Sequence, residues 1–161
     1  MAEDGKSGKT AKVDVRALSA DDLEAVIAID AKLAGQSRRG FFERRLRGAL
    51  SYPEGFIFLG ADVNDALAGF ALVRVLAGEF GGDHKIAVMD AIGVDPDAQG
   101  RGLARALMAG IDRIMAKKGI AELQTQAEWT NHDLLMFLDA AGFERAPRVI
   151  LHRDTVERLD A

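Results

Sequence analysis

Residues 84–118 constrain the fold more than any other stretch of this sequence. HKIAVMDAIGV (84–94) is an apolar run of strand character, closed by Asp95-Pro96-Asp97. After it, AQGRGLARAL (98–107) opens a helical pattern in which Leu103, Leu107, Ile111 and Ile114 share one stripe. Gly119 is the expected C-cap of that helix. A strand that turns through a proline and two glycines into an amphipathic helix is a strand–helix crossover, and it commits the chain to an α/β layout. The glycines need a reason, because glycine in a helix costs roughly 0.5–1 kcal/mol relative to alanine. Gly100 and Gly102 either shape a ligand-free turn or clear space for an anion at the helix N-terminus, where unpaired N–H groups and the dipole attract negative charge.

The other elements follow the same logic. VDVRAL (13–18) alternates as a strand, and Ser19 reads as an N-cap with Asp22 as a shortened capping box. Leu23, Val26, Ile27, Ala31 and Ala34 then line one helical face up to Gly35. A second helix is expected over 38–50. Strands at 56–63 and 66–76 are joined at Asn64-Asp65, a hairpin signal. Residues 120–129 alternate as a strand, Asn131 caps a short helix ending at Gly142, and 143–154 is expected to supply one or two final strands. Early hairpins and late crossovers make a mixed, mostly antiparallel central sheet flanked by helices. Residues 1–12 are expected to form a polar tail and 13–161 a single domain.

Composition excludes several function classes. With 161 residues, 48% hydrophobic and 29% charged, the chain is globular in character and long enough for a substantial core. A net charge of −4 argues against a nucleic-acid partner held by overall charge. No stretch reaches the roughly 18 apolar residues of a membrane span, and the N-terminus has no signal-peptide run, so a cytoplasmic location is expected. The absence of cysteine removes disulfides, thiolate metal sites and cysteine nucleophiles, and three scattered histidines give no reason to expect a metal. GKSGKT (5–10) suggests a phosphate loop, but Glu3 stands where that motif requires glycine and no strand precedes it.

The glycine loop fits other nucleotide motifs poorly, since a dinucleotide fingerprint from Gly100 meets Arg105 where Gly or Ala is needed. In contrast, Gln99-Gly100-Arg101-Gly102-Leu103-Ala104 matches the Gln/Arg-x-x-Gly-x-Gly/Ala signature of the Gcn5-related N-acetyltransferases (GNAT). IGVDP (92–96) resembles the strand that precedes this signature in the family, and Asn131 followed by Gly142-Phe143 resembles its later helix. The resemblance implies an acyl-CoA N-acyltransferase fold with acetyl-CoA as co-substrate and no metal. It implies that the amides of Gln99, Gly100, Arg101, Gly102, Leu103 and Ala104 bind the coenzyme pyrophosphate. The backbone of Ile92 and Val94 would meet the pantetheine arm where strands 86–94 and 120–129 splay apart. Asn131 matches a position that often contacts the coenzyme, although a plain N-cap explains it equally well.

The reaction implied is direct attack of a substrate amine on the thioester, with a carboxylate removing a proton from the amine. Asp90 matches the position where many relatives carry that base. Alternation places it on the face of Val88, Ile92 and Val94, poorly solvated surroundings that suit a proton acceptor. A buried, hydrogen-bonded structural Asp is the competing explanation, and Glu128 is the alternative base. Relatives often carry a tyrosine acid at the eighth position counted from Asn131, but Leu138 stands there. A thiol with a pKa of roughly 8.5 can still leave as thiolate. Even so, Leu138 keeps a second class open: a non-catalytic acyl-CoA-binding regulatory module.

In the family the first two helices often line the acceptor site. RRGFFERRLR (38–47) carries five arginines and one glutamate, either as a solvated face over buried Phe41, Phe42 and Leu46 or as a receptor for an acceptor's carboxylate. Gln124, Gln126 and Glu128 share a strand face, Trp129 is expected to pack, and His84, His132 and His152 have no expected role beyond the surface or capping. The expected acceptor is an amine of a small molecule or protein. A homodimer, common among relatives, could form through the final strand.

Overall fold

A computed structural model describes residues 11–154, which divide into two compact units between Gln126 and Ala127. The first unit is a five-stranded sheet in the order β1 (Val13–Ala17), β2 (Phe56–Val63), β3 (Ala66–Ala77), β4 (Lys85–Val94), β5 (Leu123–Thr125). The first four strands are antiparallel, and β5 joins β4 in parallel. The β2–β3 turn works because Asn64 (φ 50°) and Asp65 (φ 67°) both take the left-handed conformation of a type I′ turn, which their short polar side chains tolerate.

The two sheet faces carry different helices. α1 (Leu23–Ala34) and α2 (Arg39–Ser51) cover one, where Val26, Ile27, Ile29 and Phe42 cluster with Phe70 and Leu72. The Phe42 ring meets Phe70 edge-on at 5.6 Å. α3 (Leu103–Lys118) covers the other face, and Leu103, Leu107 and Ile111 are almost wholly removed from water. Each such side chain contributes roughly 1.5–3 kcal/mol of apolar burial. α3 lies so close to the sheet that a Cβ on Gly110 would sit 3.0 Å from Leu59 and 3.2 Å from Val15. Gly119 (φ 68°) ends α3, as the sequence predicts. Ile114, expected in the buried stripe, is only half-buried, and Met108 and Met115 take its place. On α1, Ala34 is exposed while Asp30 is buried, its carboxylate gripped by Arg38.

The second unit contains α4 (His132–Ala140). Residues 143–154 form no strand, contrary to the sequence expectation. Val149 and Ile150 are 81% and 73% exposed, and β-branched character alone does not make a strand without a partner ladder. Pro147 also lacks the N–H that a ladder would use. The expected strand at 120–129 contracts to Leu123–Thr125. Of the predicted N-terminal tail, residues 1–10 lie outside the described residues, as does the GKSGKT segment. No helix among the described residues is long and apolar enough to cross a membrane.

Candidate active site

A β-bulge organises the site. Leu72 faces Ala91 while Val73 faces Met89, so Asp90 is an extra residue with no partner on β3. The bulge resets the alternation on which the sequence reading relied. Val88 lies opposite Arg74 and shares the α1/α2 face with Leu72 and Ala91, whereas Ile92 and Val94, opposite Ala71 and Gly69, lie on the α3 face. Asp90 therefore does not share a face with Ile92 and Val94. An inserted residue inverts the parity of everything after it, and a period-2 argument has no means of detecting it.

The surroundings of Asp90 are ionic rather than apolar. Its carboxylate is 9% exposed and accepts from Arg74 Nε at 2.6 Å and from a terminal nitrogen of Arg74 at 2.9 Å. Donating to the Asp90 carboxylate raises the Arg74 pKa further above its ordinary value. Arg45 of α2 forms a second ion pair, its Nε 2.7 Å from Asp90 Oδ2. That N–H is out of line, so among the described residues the buried Arg45 Nε has no hydrogen-bond acceptor. The Arg45 guanidinium stacks over Phe41 at 5.0 Å. Removing either partner of such a buried pair is costly, because it strands a charge away from water.

β4 leads from this cluster to the glycine loop. Pairing with β5 ends at Met89–Thr125, where Thr125 Oγ1 donates to Met89 O at 2.9 Å. Asp95 N–H donates to Ala68 O at 2.7 Å, which fixes residues 91, 93 and 95 as the ones bonded to β3. The N–H and C=O of Ile92 and Val94 consequently point to the edge of β4 beyond the reach of the β5 ladder. The bulge serves this edge too, since before it Ala87 donates to Glu122 O on the β5 side.

Asp95 closes the strand. Its carboxylate accepts the Asp97 N–H at 3.0 Å and Lys32 Nζ at 2.9 Å, and the Lys32 ammonium holds it below the usual carboxylate range. The chain continues through extended Gln99 to Gly100 (φ 80°) and Gly102 (φ 77°), both left-handed. A Cβ on either glycine would meet nothing within 4 Å, so backbone conformation demands glycine here, not crowding. Both glycines precede α3, with Gly102 as its N-cap, so neither incurs the helix-interior penalty. The first amide of α3 to find an acceptor is Ala106, which donates to Gly102 O at 3.0 Å. The amides of Leu103, Ala104 and Arg105 are the unpaired donors of the helix end. Open space, unpaired amides and exposed Arg101 together fit a diphosphate.

In the second unit Asn131 is an N-cap, its Oδ1 accepting from Leu134 N at 3.2 Å. Leu138, at the position of the family's tyrosine, is buried. Glu128 is exposed and lies beyond β5, so of Gln124, Gln126 and Glu128 only Gln124 occupies a strand. Trp129, expected to pack, is 83% exposed. His84, His132 and His152 are exposed. Among the described residues no group of three His, Asp or Glu is arranged to hold a metal ion.

Sequence reasoning missed Arg74 and the pairing of Arg45. A signal was available, since Arg74 is the one charge of β3 and Asp90 the one charge of β4 after Lys85 at its start, and the two strands pair antiparallel. The arginine-rich run lies over buried and part-buried aromatic residues and makes ion pairs within the chain that neither sequence reading included. Phe42 is buried and Phe41 and Leu46 half-buried; Arg38, Arg39 and Arg45 pair with Asp30, Glu24 and Asp90, and Arg44 and Arg47 are exposed.

Known proteins resemble this chain along most of its length. Residues 22–143 match the Acetyltransferase (GNAT) family. A mycothiol acetyltransferase of Clavibacter sepedonicus is 30% identical over 156 residues, covering 92% of this chain and 48% of the relative. The chain thus spans about half the length of that relative. An aminoglycoside N(6')-acetyltransferase type 1 of Stenotrophomonas maltophilia is 26% identical over 147 residues, covering 86% of this chain and 96% of the relative. The aminoglycoside N-acetyltransferase AAC(6')-Iy, solved in complex with CoA, superposes with a TM-score of 0.75 at 21% identity, covering 90% of this chain and 96% of that one. The mixed sheet with its flanking helices is the fold of that enzyme, and the chain belongs to the GNAT acetyltransferase family.

Proposed function

We propose that the chain is an acetyl-CoA-dependent N-acetyltransferase acting on an amine. The observation that carries this reading is the continuity of two features on one strand: the unpaired edge at Ile92 and Val94 and the open amide loop at Gln99 to Ala104. The loop amides bind the pyrophosphate, with Arg101 adding charge, and the backbone of Ile92 and Val94 holds the pantetheine arm. Acetyl-CoA supplies a thioester carbon open to attack. Asp90 lies about 7 Å along β4 from Ile92, within reach of the end of an arm laid on that edge.

Asp90 takes the proton from the acceptor amine, directly or through a water. Each of its oxygens already accepts an Arg74 N–H, but a carboxylate offers about four lone-pair positions, so acceptor sites are left. Glu128 is the alternative base. The amine nitrogen bonds to the acyl carbon, the C–S bond breaks with its electron pair going to sulfur, and the thiolate takes a proton from water, since Leu138 has none to give.

Thiol release tests this reading, and a cysteine-free protein gives no background. Asp90→Asn is expected to lower turnover by about 10²–10⁴ while acetyl-CoA affinity is kept. A rate within threefold of wild type would remove Asp90 as base. Acetyl-CoA binding without thiol release toward any amine would instead favour the regulatory binding module.

A further inference from the structure

The Asp90 cluster contains more positive charge than its carboxylate can satisfy. Two guanidiniums face one carboxylate, and Glu79 adds only a more distant negative field at Arg74. Among the described residues no oxygen accepts an aligned N–H of Arg45. Asp90 is nine-tenths buried, whereas Arg45 and Arg74 keep 30% and 29% of their side chains exposed. The cluster therefore presents guanidinium donors outward from a fixed anionic floor.

Resting on the acetyltransferase reading, we infer that this cluster recognises the acceptor and that the acceptor is a free α-amino acid. Its carboxylate is taken by Arg45 and Arg74, and its amine by Asp90. The buried Arg45 Nε stays against Asp90, so an incoming carboxylate meets the terminal nitrogens of the part-exposed guanidiniums and neutralises the surplus cation, and planar guanidiniums suit two-point carboxylate binding. In an α-amino acid the nitrogen and the carboxylate carbon are both bonded to one Cα, about 2.5 Å apart. One zwitterion then matches the juxtaposed cations and anion, and the nitrogen that must be acetylated is delivered to the carboxylate that takes its proton. Exposed Arg44 and Arg47 extend the positive surface of α2, which repels a polycationic acceptor.

The test uses the full chain, acetyl-CoA and thiol release. The acceptors are the standard amino acids other than cysteine, whose own thiol would be read, their carboxamides, and kanamycin as the polycation. At least one amino acid is expected to exceed its carboxamide by about 10–100-fold in kcat/KM, the loss that follows removal of charge-assisted hydrogen bonds. Arg45→Gln is expected to reduce the acid-to-carboxamide preference in kcat/KM by a similar factor, whatever it does to both acceptors in common, and to be partly rescued by Arg45→Lys. A merely structural arginine would affect both acceptors equally. Equal use of acid and amide, or preference for kanamycin, overturns the inference and leaves the acetyltransferase reading intact. Saturation-transfer NMR of the same amino acids, with and without CoA, separates the two failures. Amino-acid binding lost in Arg45→Gln but without turnover supports the site and refutes the reaction, whereas no amino-acid binding refutes the site.

Discussion

Two glycines at opposite ends of α3 allow a controlled experiment on the loop. Gly102 (φ 77°) caps its N-terminus and Gly119 (φ 68°) its C-terminus, and a Cβ on either meets nothing within 4 Å. Alanine at either position incurs the same kind of penalty, about 1–2 kcal/mol for an L-residue in the left-handed region. Reduced freedom of the unfolded chain offsets about 0.4–1 kcal/mol of that. The net loss is about 0.5–1.5 kcal/mol, which lowers Tm by roughly 1–6 °C in a chain of this length. The two variants should therefore melt alike. They should differ in coenzyme binding, because only Gly102 orients amides proposed to meet the pyrophosphate. Losing one or two hydrogen bonds to a charged group, at about 1.5–3 kcal/mol each, weakens acetyl-CoA by at least about tenfold in Gly102→Ala. Gly119→Ala should bind as wild type does, and Gly102→Asn should recover part of both losses, since asparagine tolerates this conformation. Thermal melts and calorimetric titration of the variants decide the matter. Equal acetyl-CoA affinity in the two alanine variants would refute the reasoning.

Other outcomes follow from the packing and charges. Leu107→Ala empties a fully buried position on the α3 face and should cost about 2–5 kcal/mol, measured by denaturant unfolding. Arg16 bridges Asp22 and Asp62, and with the Ser19 N–H it lowers the Asp22 pKa to about 2. A lowered carboxylate stabilises the fold fully above its ordinary value of 3.8, and that contribution disappears as pH falls toward 2. It is worth at most about 2 kcal/mol, and about 1 once solvent screening at Arg16 is allowed for. The Tm gap between wild type and Asp22→Asn should therefore be largest near neutrality and close by about pH 2. Arg74→Met should destabilise by about 3–5 kcal/mol because it leaves Asp90 with only the misaligned Arg45. Replacing Asp90 with Leu in the same chain should recover part of that loss in a denaturant melt.

Local chemistry explains what could be read from the sequence. The Asn64-Asp65 turn, the Gly35 and Gly119 caps and the loop from Asp95 to Leu103 are each fixed by backbone preferences of residues close in sequence. The strand–helix unit at 85–118 was legible for the same reason. The bulge at Asp90 was not, because an inserted residue depends on the register of β3 against β4, a long-range property. Arg45, Arg74 and Asp90 lie 16 to 45 residues apart and meet only once α2 packs on that face of the sheet, so no local pattern brings them together. Strand-like composition at 149–151 misled in the opposite direction, since pairing requires a partner that composition does not name.

The central claim is that the loop from Gln99 to Ala104 and the edge at Ile92 and Val94 hold an acyl-coenzyme A. Calorimetric titration of the purified chain with acetyl-CoA tests it most directly. Saturable binding at one site per chain is the expected result. An absence of heat at millimolar acetyl-CoA would contradict it and reduce Gly100 and Gly102 to the residues of a turn.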